Sequence, residues 1–388
     1  MTQWVEGNRI TLLTTGDEYF PALEAAIDAA REEVHLETYI FENDLTGQRI
    51  AECLARAARR GVAVRLLVDG FGASNLVQPL RDILEADKVS ILVFRPELAK
   101  GRFRRNRLRR MHRKLVVVDR RIGFCGGINI LDDRDGTGEG APRFDFAVRV
   151  EGPIVTDMHA AMRRLWKLVE WTRVGRRVGP RMDACPPPPA YPGGQRAAFL
   201  VRDNLRNRRT IEDAYLEAIE AAQREILIAN AYFLPGRRFR RELRVAAQRG
   251  VKVRLLLQGK REYFWVHYAI RALHGRLLAA GMEVHDYTAT WLHAKVAVID
   301  GHWATVGSSN IDPLSLLMAR EANVVVDDSR FAAELQSILE TAMVKGAEPV
   351  VTESLARRPW FDRLLSWTAI AVGRIAAGLI GTSRLEGR

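Results

Sequence analysis

Two stretches of this chain are written twice. The segment AREEVHLETYIF, Ala30 to Phe41, returns as AQREILIANAYF, Ala222 to Phe233, and ARRGVAVRLLVDG, Ala58 to Gly70, returns as AQRGVKVRLLLQG, Ala247 to Gly259. A fold adopted by one copy must also suit the other, so the main freedom left is how the two halves pack. Two copies are too few for a solenoid, and the expected arrangement is two similar domains face to face with a site between them.

Within each copy the pattern is a helix with apolar positions three and four apart, Phe20, Leu23, Ile27 and Ala30 in the first half and Ile211, Ala214, Tyr215, Ala218 and Ile219 in the second. A short apolar strand follows, then a second helix that ends at Gly61 or Gly250, where a left-handed residue closes the last turn. Val-rich runs beyond each glycine read as buried strands, with further strands near Val89 to Phe94 and Glu283 to Tyr287. Helices alternating with buried strands predict an α/β layered sheet in each half. The Pro- and Gly-rich stretch within Thr172 to Ala197 breaks both periodicities and is the expected linker. The resulting division is 1–171, linker 172–197, 198–350, and a C-terminal segment 351–388.

Lys and Arg outnumber Asp and Glu by 59 to 47, giving a net charge of +12 over 388 residues. Such a surface attracts anions, but nucleic acid, anionic membrane and small phosphate esters all reward the same residues. Cys53, Cys125 and Cys185 have no paired spacing, and the first ten residues carry no signal-peptide pattern, which fits a reducing, cytoplasmic setting.

The chemistry lies in a second repeated pattern. MHRKLVVVDRRIGFCGGINI begins at Met111, and LHAKVAVIDGHWATVGSSNID begins at Leu292. Both contain HxK, four residues, Asp, and then two small residues and an Asn at matching distances, which pairs His112 with His293, Lys114 with Lys295, Asp119 with Asp300 and Asn129 with Asn310. Residues i and i+2 of a strand face the same way, so each histidine emerges beside its lysine. An ammonium repels a divalent metal but neutralises phosphate oxygens as charge builds in a transition state. Two histidines on opposite sides of one phosphorus divide a double displacement: one attacks as neutral imidazole while the other, protonated, donates to the leaving oxygen. The attacking ring needs an acidic partner on its other nitrogen, and Asp145 and Glu321 are the candidates. Asn129 and Asn310 can donate to phosphate, and the small pairs Gly126-Gly127 and Ser308-Ser309 let backbone approach a ligand. Asp119 and Asp300 complete the motif, although an Asp ending a buried strand is as often a backbone anchor, and structural support is the favoured reading. His35, His159, His267 and His285 lack the pattern and are read as structural.

These residues resemble the phospholipase D superfamily, whose signature is a repeated HxKxxxxD with a following Gly/Ser-rich Asn segment. Within it the chain is most similar to bacterial cardiolipin synthases of the B type, through RRMHRKLVVVD (Arg109 to Asp119), RVEGPIV (Arg149 to Val155), ANAYFLPG (Ala229 to Gly236) and HWATVGSSNIDPLSL (His302 to Leu316). The resemblance implies two phospholipase D-like α/β/α sandwich domains, each a mixed sheet flanked by helices, packed as a pseudo-twofold dimer with one shared active site. It also implies a phosphatidyl-histidine intermediate, no metal or other cofactor, and transfer of a phosphatidyl group to the hydroxyl of a second phospholipid. By this analogy His112 is the nucleophile and His293 the general acid, the reverse being the alternative, while Lys114, Lys295, Asn129 and Asn310 grip phosphate and Asp145 and Glu321 orient the rings.

In that context the run Lys100 to Lys114, nine positive residues without an acid, suits an anionic headgroup surface, with Arg104, Arg105 and Arg107 as membrane contacts. Near the C-terminus, Leu364 to Gly373 and Ile375 to Ser383 are uncharged but split by Arg374, each too short to span a bilayer. They suggest a helix lying in a membrane interface, with Trp367 and Arg374 among its contacts, as against a helix that caps the protein's own core. The expected partners are anionic phospholipids, phosphatidylglycerol first and phosphatidylethanolamine second, at the cytoplasmic face of the bacterial inner membrane. The rival readings are a hydrolase or nuclease of the same superfamily, which the apolar C-terminus disfavours, and a membrane-binding scaffold without activity. Oligomeric state is left open.

Overall fold

The computed structural model describes residues 2–73, 78–96, 109–134, 140–173, 193–203, 207–312 and 319–353, together with Leu365 and Thr368. The first half runs β1 (Val5–Thr14), α1 (Thr15–Asp28), β2 (Glu33–Thr38), α2 (Leu45–Arg59), β3 (Ala63–Asp69), α3 (Gln78–Ala86), β4 (Ser90–Phe94), β5 (Arg110–Met111), β6 (Lys114–Val118), β7 (Ile122–Gly126), β8 (Phe146–Glu151) and α4 (Ile154–Arg173). The second repeats it: β9 (Gln195–Arg202), α5 (Thr210–Ala221), β10 (Glu225–Asn230), α6 (Arg237–Gln248), β11 (Lys252–Gln258), α7 (Phe264–Leu278), β12 (Glu283–Tyr287), β13 (Lys295–Ile299), β14 (Trp303–Gly307), β15 (Ala319–Asp327) and α8 (Ser329–Gly346), closed by β16 (Ala347–Pro349).

The local signals act as the residues dictate. Gly61 and Gly250 both have φ +90° with open space where a Cβ would stand, so these turns select glycine for its dihedral freedom and not for room. Asp44 and Asp328 cap α2 and α8 by accepting from the Gly47 and Phe331 amides at 2.8 Å. Strands β2, β6 and β13 are buried along their whole length, as strands covered on both faces must be.

In each half three strands run parallel (β2-β3-β4 and β10-β11-β12), and the remaining pairings are antiparallel except for the short parallel pairing of β5 with β15. β1 pairs antiparallel with β8 on one side and with β9 on the other, and β9 pairs with β15, so the halves join into one sixteen-stranded sheet. Each half keeps its own core under the paired helices α1–α2 and α5–α6. A third core is shared: Val148, Val150 and Met158 of the first half pack in one cluster with Val296, Val324 and Leu335 of the second. The halves therefore meet through faces as well as through an edge.

The linker is shorter than the sequence suggests. Helix α4 continues to Arg173 and β9 starts at Gln195, because Ala197 pairs with Val5 of β1 and the Gln195 side chain accepts from the Ile10 amide at 2.5 Å. Residues 174–192 lie outside the described part, as does most of 351–388. Among the described residues no helix is long and apolar enough to cross a membrane.

Candidate active site

Both HxK strands begin where their half meets the other. Strand β5 pairs in parallel with the start of β15, and the His112 amide donates to the Arg320 carbonyl at 3.0 Å. On the other side Phe144 bridges to Leu292, and the His293 amide donates to the Phe144 carbonyl at 2.9 Å. The register does the rest: the residue after Arg320 is Glu321, and the residue after Phe144 is Asp145. Glu321 accordingly holds His112, its two oxygens 3.0 and 3.1 Å from Nδ1, and Asp145 holds His293, Oδ2 lying 2.6 Å from Nδ1. Each imidazole is thus oriented by a carboxylate from the opposite half. With Nδ1 facing the carboxylate, Nε2 is left for chemistry.

The lysines stay close to the rings they accompany. Lys114 Nζ donates to the His112 carbonyl at 2.7 Å, and Lys295 Nζ donates to the His293 carbonyl and lies 2.8 Å from its Nδ1. Both lysines are buried. Burial pulls the Lys114 ammonium down to about 7, against the pull of Glu321, and Lys295 down to about 8, against Asp145. Burial also lowers both imidazoles, with Glu321 opposing at His112; at His293 the neighbouring Lys295 adds to burial and takes it to about 3. Burial would raise the two carboxyls, but Lys295 and His293 hold Asp145 below its ordinary value, and His112 and Arg202 do the same for Glu321. Lys295 acts on His112 and Lys114 on His293, so the four groups form one electrostatic cluster.

The remaining motif residues divide. Asn129 accepts from the Ile40 amide at 3.2 Å through Oδ1, whereas the Asn310 Oδ1 is buried without a hydrogen-bond partner. Gly127 serves a different neighbour from the one expected: a Cβ there would stand 2.3 Å from the Asp145 carboxylate, so the glycine makes room for the orienting acid and not for a ligand. Ser308, its counterpart, donates to Glu321 Oε2 at 2.5 Å. Asp119 and Asp300 do not reach the reacting groups. Each ends its strand with φ near +50° and points its carboxylate at three successive amides, Arg31, Glu32 and Glu33 for Asp119 and Gln223, Arg224 and Glu225 for Asp300. Each lies five positions beyond its lysine, with four strand residues between, roughly 16 Å of extended chain, which sets both apart from the imidazoles and leaves the anchoring role. Arg104, Arg105, Arg107, Trp367 and Arg374 lie outside the described residues.

Tyr39 and Arg202 belong to the site although the motif does not announce them. The Tyr39 ring lies 5.0 Å from the His112 ring and 5.5 Å from Lys114 Nζ, and the buried Arg202 lies 3.9 Å from Glu321. Tyr39 had a sequence signal: in the aligned repeat its place is taken by Ala231, so it marks where the halves differ.

A two-lobed fold whose repeated HxK strands bring two imidazoles and two ammonium groups to one seam defines a phosphodiester transferase of the phospholipase D kind. A family model described as cardiolipin synthase, PLD-like domain, matches residues 23–166 and 215–343, and the chain belongs to that family. Cardiolipin synthase B of Shigella flexneri is 38% identical over 388 residues, covering 97% of this chain and 91% of that protein. The cardiolipin synthase B of Salmonella typhi is 37% identical with the same coverage, and a probable cardiolipin synthase of Bacillus subtilis is 33% identical over 87% of this chain and 66% of its own length. A crystal structure of phosphatidylserine synthase from Haemophilus influenzae shares the fold, with TM-score 0.64 at 13% identity across 96% of this chain and 94% of that one.

Proposed function

We propose that this enzyme is a cardiolipin synthase that moves a phosphatidyl group from one phospholipid onto the hydroxyl of phosphatidylglycerol through a histidine. The observation that carries the reading is the crossed pairing of His112 with Glu321 and His293 with Asp145, which orients both rings through Nδ1 and leaves two Nε2 atoms for chemistry at one seam. His112 attacks phosphorus with its Nε2 lone pair, the P–O bond to the leaving alcohol breaks, and His293 gives that oxygen its proton. In the second step His293 takes the proton from the acceptor hydroxyl, whose oxygen displaces His112.

The ligand-free seam favours neutral rings, which suits the nucleophile but leaves the acid without its proton. An anionic phosphodiester corrects this. One negative charge at about 4 Å and an effective dielectric of about 20 is worth about 4 kcal/mol, enough to move a proton equilibrium roughly a thousandfold. The substrate thus brings a charge that favours the protonated form of its own general acid. Lys114 and Lys295 neutralise the nonbridging oxygens, and the amide nitrogen of Asn310 donates beside them. Transfer in preference to hydrolysis requires that the second lipid reach the phosphoenzyme before water, from a peripheral seat on the membrane.

The test uses purified protein with phosphatidylglycerol vesicles and mass spectrometry of the products. Cardiolipin should form, and His112→Ala and His293→Ala should each abolish it. A p-nitrophenyl phosphodiester separates the roles, because its leaving group needs no acid: His293→Ala should release one equivalent of p-nitrophenol and stall, and His112→Ala should release none. The opposite pattern would exchange the two roles.

A further inference from the structure

Among the described residues, six of the ten large apolar side chains left exposed, including every exposed aromatic, stand at one end of the molecule. Leu45 (79% exposed), Phe71 (60%), Trp171 (77%), Tyr263 (58%), Phe264 (39%) and Trp265 (51%) stand at or beside the carboxyl ends of the parallel strands. This is the end at which β6 and β13 begin, Leu115 opposite Glu37 and Lys295 opposite Asn230, and therefore the end that carries both histidines. Single exposed apolar residues need no explanation, but a cluster around a site does.

Short chains of contact tie the aromatics to the catalytic seam. The Phe71 amide donates to Asp69, whose other oxygen accepts from Met111, the residue before His112. Gly72 lies so close to the Tyr39 carbonyl that a Cβ would stand 2.4 Å from it, and the Tyr39 ring rests against His112. In the other half the Tyr263 ring is 6.0 Å from Tyr232, whose hydroxyl donates to Glu262 at 2.6 Å, and Glu262 pairs with Arg143, two residues before Asp145. Arg143 belongs to the first half and Glu262 to the second, so their ion pair at 3.6 Å joins the two arcs into one rim. Basic groups stand among them: Arg261 lies 5.8 Å over the Phe264 ring, and α6 starts at the same end with Arg237, Arg238 and Arg241.

We propose that this rim is the membrane-docking face, with Phe71, Phe264 and Trp265 seated at the acyl–headgroup boundary and the arginines on anionic headgroups. The inference rests on the reading of the substrate as a phospholipid and adds which surface meets the bilayer. Two features favour a lipid surface over a second protein. Indole and phenol rings interleaved with arginine are the composition of a bilayer interface, where one end of the ring is apolar and the other wet. In addition Leu365 packs on Tyr268 and Ala269 of α7, directly behind the rim, and adds apolar surface there. The mouth then opens onto the lipid, and a headgroup need rise only a short way to reach the imidazoles.

The experiment measures partition of the full chain onto vesicles of phosphatidylglycerol and phosphatidylcholine, with no turnover required. Phe71→Ser/Trp265→Ser should lower the partition coefficient roughly tenfold or more, while Val351→Ser, an exposed apolar residue at the far end of the sheet, should leave it unchanged. Trp265→Phe keeps the apolar character, so it should bind like the parent but lose part of the tryptophan quenching by brominated acyl chains. Parental partition of the double variant, or equal quenching of the parent and Trp265→Phe, overturns the proposal; so does loss of a dimer in the double variant with vesicle binding intact. A double variant that fails a thermal melt leaves the quenching comparison to decide. His112→Ala separates the two readings: full transfer activity in it defeats the functional reading alone, because docking is scored by partition.

Discussion

The catalytic pairs place opposite demands on single residues, and each demand can be measured. Glu321 and Asp145 keep a proton on Nδ1 of their histidines, so Glu321→Gln or Asp145→Asn, which keep shape and lose charge, should lower kcat by about 10²- to 10⁴-fold with little change in KM. Steady-state kinetics on a soluble phosphodiester checks this. The lysines set the alkaline limb. Their pKa values are depressed to about 7 and about 8, so below pH 7 both are protonated in the free enzyme, and as pH rises past about 8 both lose the charge that grips phosphate. kcat/KM, which reports the free enzyme, should therefore fall between about pH 7 and 9, and kcat, which reports the phosphate-bound state, should fall only at higher pH. A kcat/KM profile flat to pH 9.5 contradicts this. The pairs of histidine and lysine were legible from the repeat alone, because i and i+2 of a strand share a face. Which carboxylate serves which histidine was not, since Asp145 lies 33 residues after His112 in the chain and yet holds His293, 148 residues further on.

At the scale of the element, the two motif aspartates are the clearest case of a chemical residue used for architecture. Each terminates a buried strand, turns it at positive φ, and receives three amides from the start of the neighbouring strand, β2 or β10. Asp119→Ala should cost about 1–3 kcal/mol in urea unfolding while the folded fraction keeps its kcat; loss of chemistry without loss of stability would return Asp119 to the reacting groups. The left-handed glycines give a smaller effect. Gly61→Ala or Gly250→Ala should cost about 1 kcal/mol, by dihedral strain alone, because nothing stands within 4 Å of the new methyl. These glycines, the helix periodicities and the buried strands could be read locally, since each depends on neighbours within a turn or two of chain. The end of the linker could not: Gln195 to Ala197 look like its tail until β1 arrives to pair with them.

At the scale of the whole molecule, a sheet that runs through both halves and a core built from Val148, Met158, Val296 and Leu335 together make separate unfolding of the halves costly. Thermal unfolding followed by near- and far-ultraviolet circular dichroism should show one coincident transition; two resolved transitions would contradict the shared core. The sequence by itself determined that there are two α/β halves, that each supplies one histidine and one lysine, and that the chemistry is phosphodiester transfer, because repeats, strand alternation and charge compatibility are properties of short segments. Only the tertiary structure decided that each half orients the other's imidazole, that Asp119 and Asp300 bind backbone amides, and that exposed aromatic side chains stand at the end of the sheet that carries the histidines. The physical reason is that these depend on distances between residues far apart in the chain, which arise when β5 pairs with β15 and Phe144 with Leu292.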